Sequence, residues 1–152
     1  MEFSTVWENG MSFKSMIGEH DLTMDAQYPL GQDKGVNPKE MLAASLAGCI
    51  GMDVVGLLKK YRQLVDSFEI ETDMKQSDDG YPITFIGADL TLKLTGNIDE
   101  ALLLEAVVLA TRKYCGVSSM LSQSFPINWS VYLNDQRLGT GGAMTQFLFS
   151  LE

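Results

Sequence analysis

Apolar residues follow two periods along this chain, and the switch between them marks the elements. Phe3–Trp7 and Met11–Ile17 flank Asn9-Gly10, a dipeptide suited to a tight hairpin turn because both residues tolerate positive φ. A second turn at 18–21 leads to a third short strand, Leu22–Ala26, and residues 27–36 read as a loop rich in glycine and polar side chains. Polar and apolar residues alternate over 68–75, where Thr72 is the weak member of the inner face, and again over 90–95. Each run predicts a strand with one buried and one wet face, joined through the turn Ser77-Asp78-Asp79-Gly80. Ile127, Trp129, Val131 and Leu133 alternate in the same way and predict a last strand.

Between the strands the pattern becomes helical. Asn37 suits an N-cap, Pro38 the first helical position and Glu40 the third, as in a capping box. The helix they open runs to about Tyr61. A second helix is predicted over 99–115 with Gly116 as its stop, and a short third over 117–123. Three strands, a long helix, two strands, helices and a strand make an α+β fold. No repeat or boundary interrupts this order. The chain reads as one domain over 1–138, followed by a tail, 139–152, that is glycine-rich and then apolar.

The long helix has an unusual composition. Leu42, Leu46, Ile50, Met52, Val54, Val55, Leu57 and Leu58 spread around most of its circumference. A helix apolar on nearly all sides is a central, covered one, and packing of two copies in a homodimer would cover it. Gly48, Gly51 and Gly56 each cost roughly 1 kcal/mol against alanine, which a close approach of another helix or of a substrate would offset. Met41, Met52 and Met120 are expected in the core. Cys49 lies mid-helix, and Asp53 follows one turn on, over the same face. Cys115 falls at the end of the second helix, in line with Leu104, Val108 and Thr111. A buried cysteine is ordinarily a small apolar filler, but two thiols, each on the inner side of a helix, could meet.

Composition narrows the function. With 152 residues the chain is long enough for a real core. Its 11 basic and 20 acidic residues give a net charge of −9, which argues against nucleic-acid and anionic-membrane partners. No apolar run reaches the roughly 18 residues of a membrane span without polar interruption. The start, MEFSTVWENG, lacks the pattern of a signal peptide, so a cytoplasmic location is expected. Two cysteines there are core thiols or redox groups rather than a structural disulfide.

The stretch "NPKEMLAASLAGC", followed by "DVV", resembles the first cysteine motif of the OsmC/Ohr family, the osmotically inducible and organic hydroperoxide resistance proteins. "KYCGVSSML" is similar to the family's second motif, a cysteine followed after two residues by serine. The resemblance covers roughly residues 1–138. It implies an OsmC-like α+β fold with strands flanking a long central helix, in an intertwined homodimer. It implies a thiol peroxidase without metal, flavin or other cofactor. Cys49 would attack an organic hydroperoxide and become a sulfenic acid, Cys115 would condense with it to a disulfide, and a cellular dithiol would reduce that bond.

Family members activate the first cysteine with an arginine from the N-terminal strands and a glutamate ten residues before the cysteine. Here no arginine precedes Arg62, and that second position is Lys39, with Glu40 beside it. Lys14 is the candidate replacement cation, although an ammonium lacks the guanidinium fork. Glu40 is a possible auxiliary residue as well as a cap. His20, the single histidine, lies in a Gly-x-His element like one in the family and otherwise reads as a turn residue. Lys113 precedes Cys115 and reads equally as a helix-end cation. A charged Asp53 would disfavour a neighbouring thiolate. The alternatives to the enzyme are therefore a non-catalytic dimer that binds a small hydrophobic molecule in the same cleft, or a redox sensor.

Overall fold

The chain falls into two units, Met1–Ala44 and Ser45–Glu152, of which the computed structural model describes residues 2–143.

In the first unit, β1 (Ser4–Asn9), β2 (Ser12–Ile17) and β3 (His20–Met24) form an antiparallel sheet in that order. Gly10, at φ 52°, and Gly18, at φ 62°, supply the left-handed residues of its two hairpins. The second turn is tighter than the sequence suggests. His20 already pairs with Ile17, so β3 starts and ends two residues earlier than expected. Residues 25–36 wind around one buried carboxylate. Asp25 accepts the backbone N–H groups of Ala26, Gln32 and Lys34 at 2.8, 3.1 and 3.2 Å. Those bonds hold its carboxyl below the ordinary carboxylate range, the Lys34 amide contributing most, against the opposing effect of burial. The helix α1 (Pro38–Lys60) then opens with a reciprocal cap. Asn37 Oδ1 accepts the Lys39 N–H at 3.0 Å, and the Glu40 carboxylate accepts the Asn37 N–H at 3.2 Å.

The second unit holds the core. β4 (Leu64–Gln76) and β5 (Phe85–Asn97) form a long antiparallel pair, β6 (Ile127–Leu133) runs parallel to β5, and β7 (Gln136–Ala143) closes the sheet antiparallel to β6. A parallel pair needs a crossover. It is made by α2 (Glu100–Leu109), a π-helical turn at Ala110–Tyr114 and α3 (Gly116–Leu121). Asp99 caps α2 by accepting the Leu102 N–H at 3.0 Å. Leu46, Ile50, Val54 and Leu58 of α1 form one buried stripe, joined in a single cluster with Leu90, Leu92 and Leu94 of β5, Val131 of β6, and Leu103 and Val107 of α2.

Three expectations change. The second helix does not run unbroken to 115, and Gly116 is no stop but the first residue of α3. The expected tail begins inside β7, so residues 139–143 belong to the sheet. A Cβ on Gly141 would lie 2.3 Å from the Trp129 ring, so the glycine is what lets β7 pair beneath the indole. The remainder of the expected tail, 144–152, lies outside the described residues. Finally, Met52 and Met120 are 74% and 64% exposed rather than in the core, and only part of the α1 circumference is covered within the chain. By length and hydropathy α1 could cross a membrane, but here it carries the Leu46–Leu58 stripe of the core.

Candidate active site: a thiol pair and a carboxylate

The π-helical turn decides where Cys115 goes. The inward positions of α2 include Ala106 and Ala110, and one more α-helical turn would bring in Tyr114, which is 48% exposed. Instead the Cys115 N–H donates to the Ala110 carbonyl, five residues back, at 3.0 Å. The extra residue in the turn moves Cys115 into the inward place, where it is 2% exposed. The line through Leu104 and Val108 expected from α-helical spacing therefore does not hold, since Val108 is exposed and Leu104 half-buried.

Cys115 is also the N-cap of α3. Its Sγ accepts the Ser118 N–H at 3.2 Å, and the Ser118 hydroxyl donates to the Thr111 carbonyl at 2.8 Å. Both Ser118 and Thr111 are buried. The Cys-x-x-Ser spacing is thus the spacing from an N-cap to the third helical residue, whose amide a cap satisfies. Sequence reasoning gave Ser118 no role beyond motif membership and gave Thr111 none. The spacing itself was the available signal.

Cys49 projects from the middle of α1 and is half-buried, as is Asp53 one turn later. The two sulfurs and an Asp53 carboxylate oxygen all lie within 4.8 Å of one another. Both cysteines are free thiols. A disulfide needs the sulfurs at about 2.05 Å, so forming one requires the two side chains to approach. The Cys115 thiol is pushed up to about 12, first by burial and then by its hydrogen bond to Cys49, while the amides of Ser118 and Val117 pull the other way. The pair is therefore asymmetric, with a buried sulfur that keeps its proton next to one with solvent access. The same three donor atoms are also spaced to hold a metal ion.

The other expected site residues belong to the first unit and have their own partners. Lys14 pairs with Asp21 at 2.6 Å, and that contact raises its ammonium above the ordinary lysine value. Glu40 caps α1 and also accepts from Gln27 Nε2 at 3.3 Å. His20 is exposed at the start of β3. In the second unit Lys113 lies over the Tyr114 ring, 5.5 Å from its centroid. Arg112 donates through Nε and Nη2 to the Gly142 carbonyl at 3.1 and 2.9 Å, which ties the π-helical turn to β7.

On a different set of α1 positions from Cys49 and Asp53, α1 and β4 form an apolar groove of about 600 Å³. It is lined by Ala47, Gly48, Gly51, Met52, Val55 and Gly56 of the helix and by Phe68 and Ile70 of the strand. Gly51 is where the strand comes close, since a Cβ there would meet Ile70 Cδ1 at 3.2 Å. Gly48 and Gly56 face open space within the chain.

The chain is similar to known proteins in sequence and in fold. The family described as OsmC-like protein matches residues 31–130. Protein YhfA of Escherichia coli K12 is 31% identical over 135 residues, covering 86% of this chain and 96% of that protein. The crystal structure of a hypothetical protein from Aquifex aeolicus VF5 superimposes with a TM-score of 0.74 at 30% identity, over 88% of this chain and 96% of that one. An organic hydroperoxide resistance protein OsmC from Legionella pneumophila shares the fold, with a TM-score of 0.66 at 15% identity over 87% of this chain and 97% of its own.

Proposed function

This chain belongs to the OsmC-like protein family, and we propose that it is a thiol-dependent peroxidase acting on small organic hydroperoxides. The observation that carries this reading is the asymmetric thiol pair, an accessible Cys49 beside a buried Cys115. Cys49, as thiolate, attacks the terminal oxygen of the hydroperoxide. The O–O bond breaks, an alcohol leaves after taking up a proton, and Cys49 carries the oxygen as a sulfenic acid. The Cys115 sulfur then attacks the Cys49 sulfur, water leaves, and a disulfide forms. A cellular dithiol returns both thiols by exchange.

The working unit is a homodimer. Val6, Trp7, Phe13 and Met16 of the first unit are exposed, as are Met52 and Val55 in the groove. A monomer rarely leaves so much apolar surface uncovered.

The contrary reading is a non-catalytic dimer that holds a small hydrophobic molecule in the groove. The commitment of Lys14 to Asp21 favours it, because that is the cation proposed to replace the family arginine. Consumption of cumene hydroperoxide with dithiothreitol, in the presence of a chelator, separates the two. The enzyme turns over, Cys49→Ser loses all turnover, and Cys115→Ser stops after one oxidation with a trappable sulfenic acid on Cys49. Absence of peroxide consumption by the unmodified protein leaves the binding reading.

A further inference from the structure

Asp53 is the one member of the cluster that the peroxidase chemistry does not use. A carboxylate beside an attacking thiolate repels it, and a charged carboxylate has no proton to give the alkoxide that leaves. Among the described residues the Asp53 carboxylate makes no hydrogen bond or ion pair, although it is half-buried. The immediate polar neighbours that the geometry gives it are the two sulfurs. Two thiols and a carboxylate thus converge on one point, their donor atoms all within 4.8 Å of one another.

We propose that Cys49, Asp53 and Cys115 form an open binding site for a thiophilic divalent cation of the zinc class. The donor set is two soft sulfurs and one carboxylate oxygen, the mixture that zinc accepts in four-coordinate sites. Cys49 and Asp53 are four residues apart on α1, the spacing that sets two ligands over one helix face. Cys115 comes from a second element, so the ligands surround the ion instead of lying along one side of it. Bonds of about 2.3 Å to each sulfur in a tetrahedron put the sulfurs roughly 3.8 Å apart, inside the 4.8 Å span of the cluster. The Ser118 N–H on Cys115 Sγ is a fitting outer-shell partner, because it orients that sulfur and stabilises it as thiolate. Partial exposure of Cys49 and Asp53 provides the entry path and leaves the fourth position to water.

Binding exchanges protons for the metal. Two thiols lose one proton each, the carboxylate keeps its charge, and a dication joins three anionic ligands; no electrons move. Metal and peroxide then compete, since a sulfur bound to zinc is neither free to attack an O–O bond nor free to close a disulfide. The inference stands whether or not the protein reduces peroxides.

The test uses the reduced, metal-free full chain titrated with Co²⁺, and then Zn²⁺ in competition. Expected are one Co²⁺ per chain with a near-ultraviolet thiolate-to-cobalt charge-transfer band, displacement by Zn²⁺, and about two protons released per metal. Zinc should also block alkylation of Cys49, the thiol with solvent access. Cys49→Ser and Cys115→Ser should lose the band. Asp53→Asn, which is isosteric, should keep the fold by circular dichroism and weaken Co²⁺ binding at least about tenfold. A missing charge-transfer band on the unmodified chain would overturn the proposal, and so would Asp53→Asn binding as tightly as the parent. Peroxide consumption is measured separately under chelator, so its absence bears on the peroxidase alone.

Discussion

The Ser118 amide donates to the Cys115 sulfur at 3.2 Å while the hydroxyl of the same residue holds the Thr111 carbonyl at 2.8 Å. One residue therefore ties the end of the π-helical turn to the start of α3, its hydroxyl bonding the turn and its backbone N–H bonding the sulfur. Ser118→Ala leaves a buried carbonyl without its donor, a loss of about 1–3 kcal/mol. Denaturant unfolding should show that loss. Formation of the Cys49–Cys115 disulfide by a stoichiometric oxidant should slow as well, because the sulfur is less well placed. An unchanged disulfide rate would limit Ser118 to a stabilising role.

Cys115 makes stability depend on alkaline pH. Its folded-state value is raised to about 12 from an ordinary 9.0. Below the ordinary value both states hold the proton, and the contribution is fully present. Above it the unfolded chain releases a proton that the folded chain keeps, so stability falls as pH rises toward the folded value, by about 1.4 kcal/mol per pH unit. Urea unfolding at about pH 8 and about pH 10.5 should show a steeper loss in the parent than in Cys115→Ser. Equal slopes would mean that the buried thiol is not what titrates.

Asp25 acts at the other end of the scale. Its depressed carboxyl stabilises the wound loop above the ordinary carboxylate value, and this is lost as pH falls through the folded value. Asp25→Ala removes the acceptor of three backbone N–H groups at once. Hydrogen exchange over residues 26–34 at neutral pH should speed up in the variant while β5 and β6 stay protected. Exchange unchanged in the loop would show that other contacts hold it.

Gly141 tests why β7 is glycine-rich. A methyl group there would stand 2.3 Å from the Trp129 ring, so Gly141→Ala should destabilise by about 1–3 kcal/mol and shift the tryptophan emission. Gly48→Ala, where nothing within the chain lies close, should gain up to about 1 kcal/mol from helix propensity if the groove is free. It should lose stability if a second copy packs there.

The dimer can be tested in the groove itself. Met52 is 74% exposed on the single chain. Met52→Glu should shift the protein from dimer to monomer in sedimentation at micromolar concentration. A parent chain that sediments as a monomer would end the homodimer proposal.

Much of this protein is legible in the sequence because the signals are local. The alternation through Leu90–Leu94 and Ile127–Leu133, the Asn37–Glu40 cap and the Asn9-Gly10 turn each depend on neighbours a few residues away. The two cysteine motifs named the family for the same reason. What escaped was set by contacts distant in the chain. Residues 139–143 read as the start of a glycine-rich tail until their pairing with β6 and the Trp129 ring explain Gly141. Lys14 reads as a free cation until the hairpin brings Asp21 within 2.6 Å. Cys115 is drawn inward by an extra residue in a turn, a register that no α-helical period predicts. Residue types and spacing determined that two thiols and a carboxylate are present, with Cys49 and Asp53 over one face of α1. Only the packing of α1 against the α2–α3 junction decided that all three converge, because chemistry at a few ångströms depends on where separate elements end and how they turn.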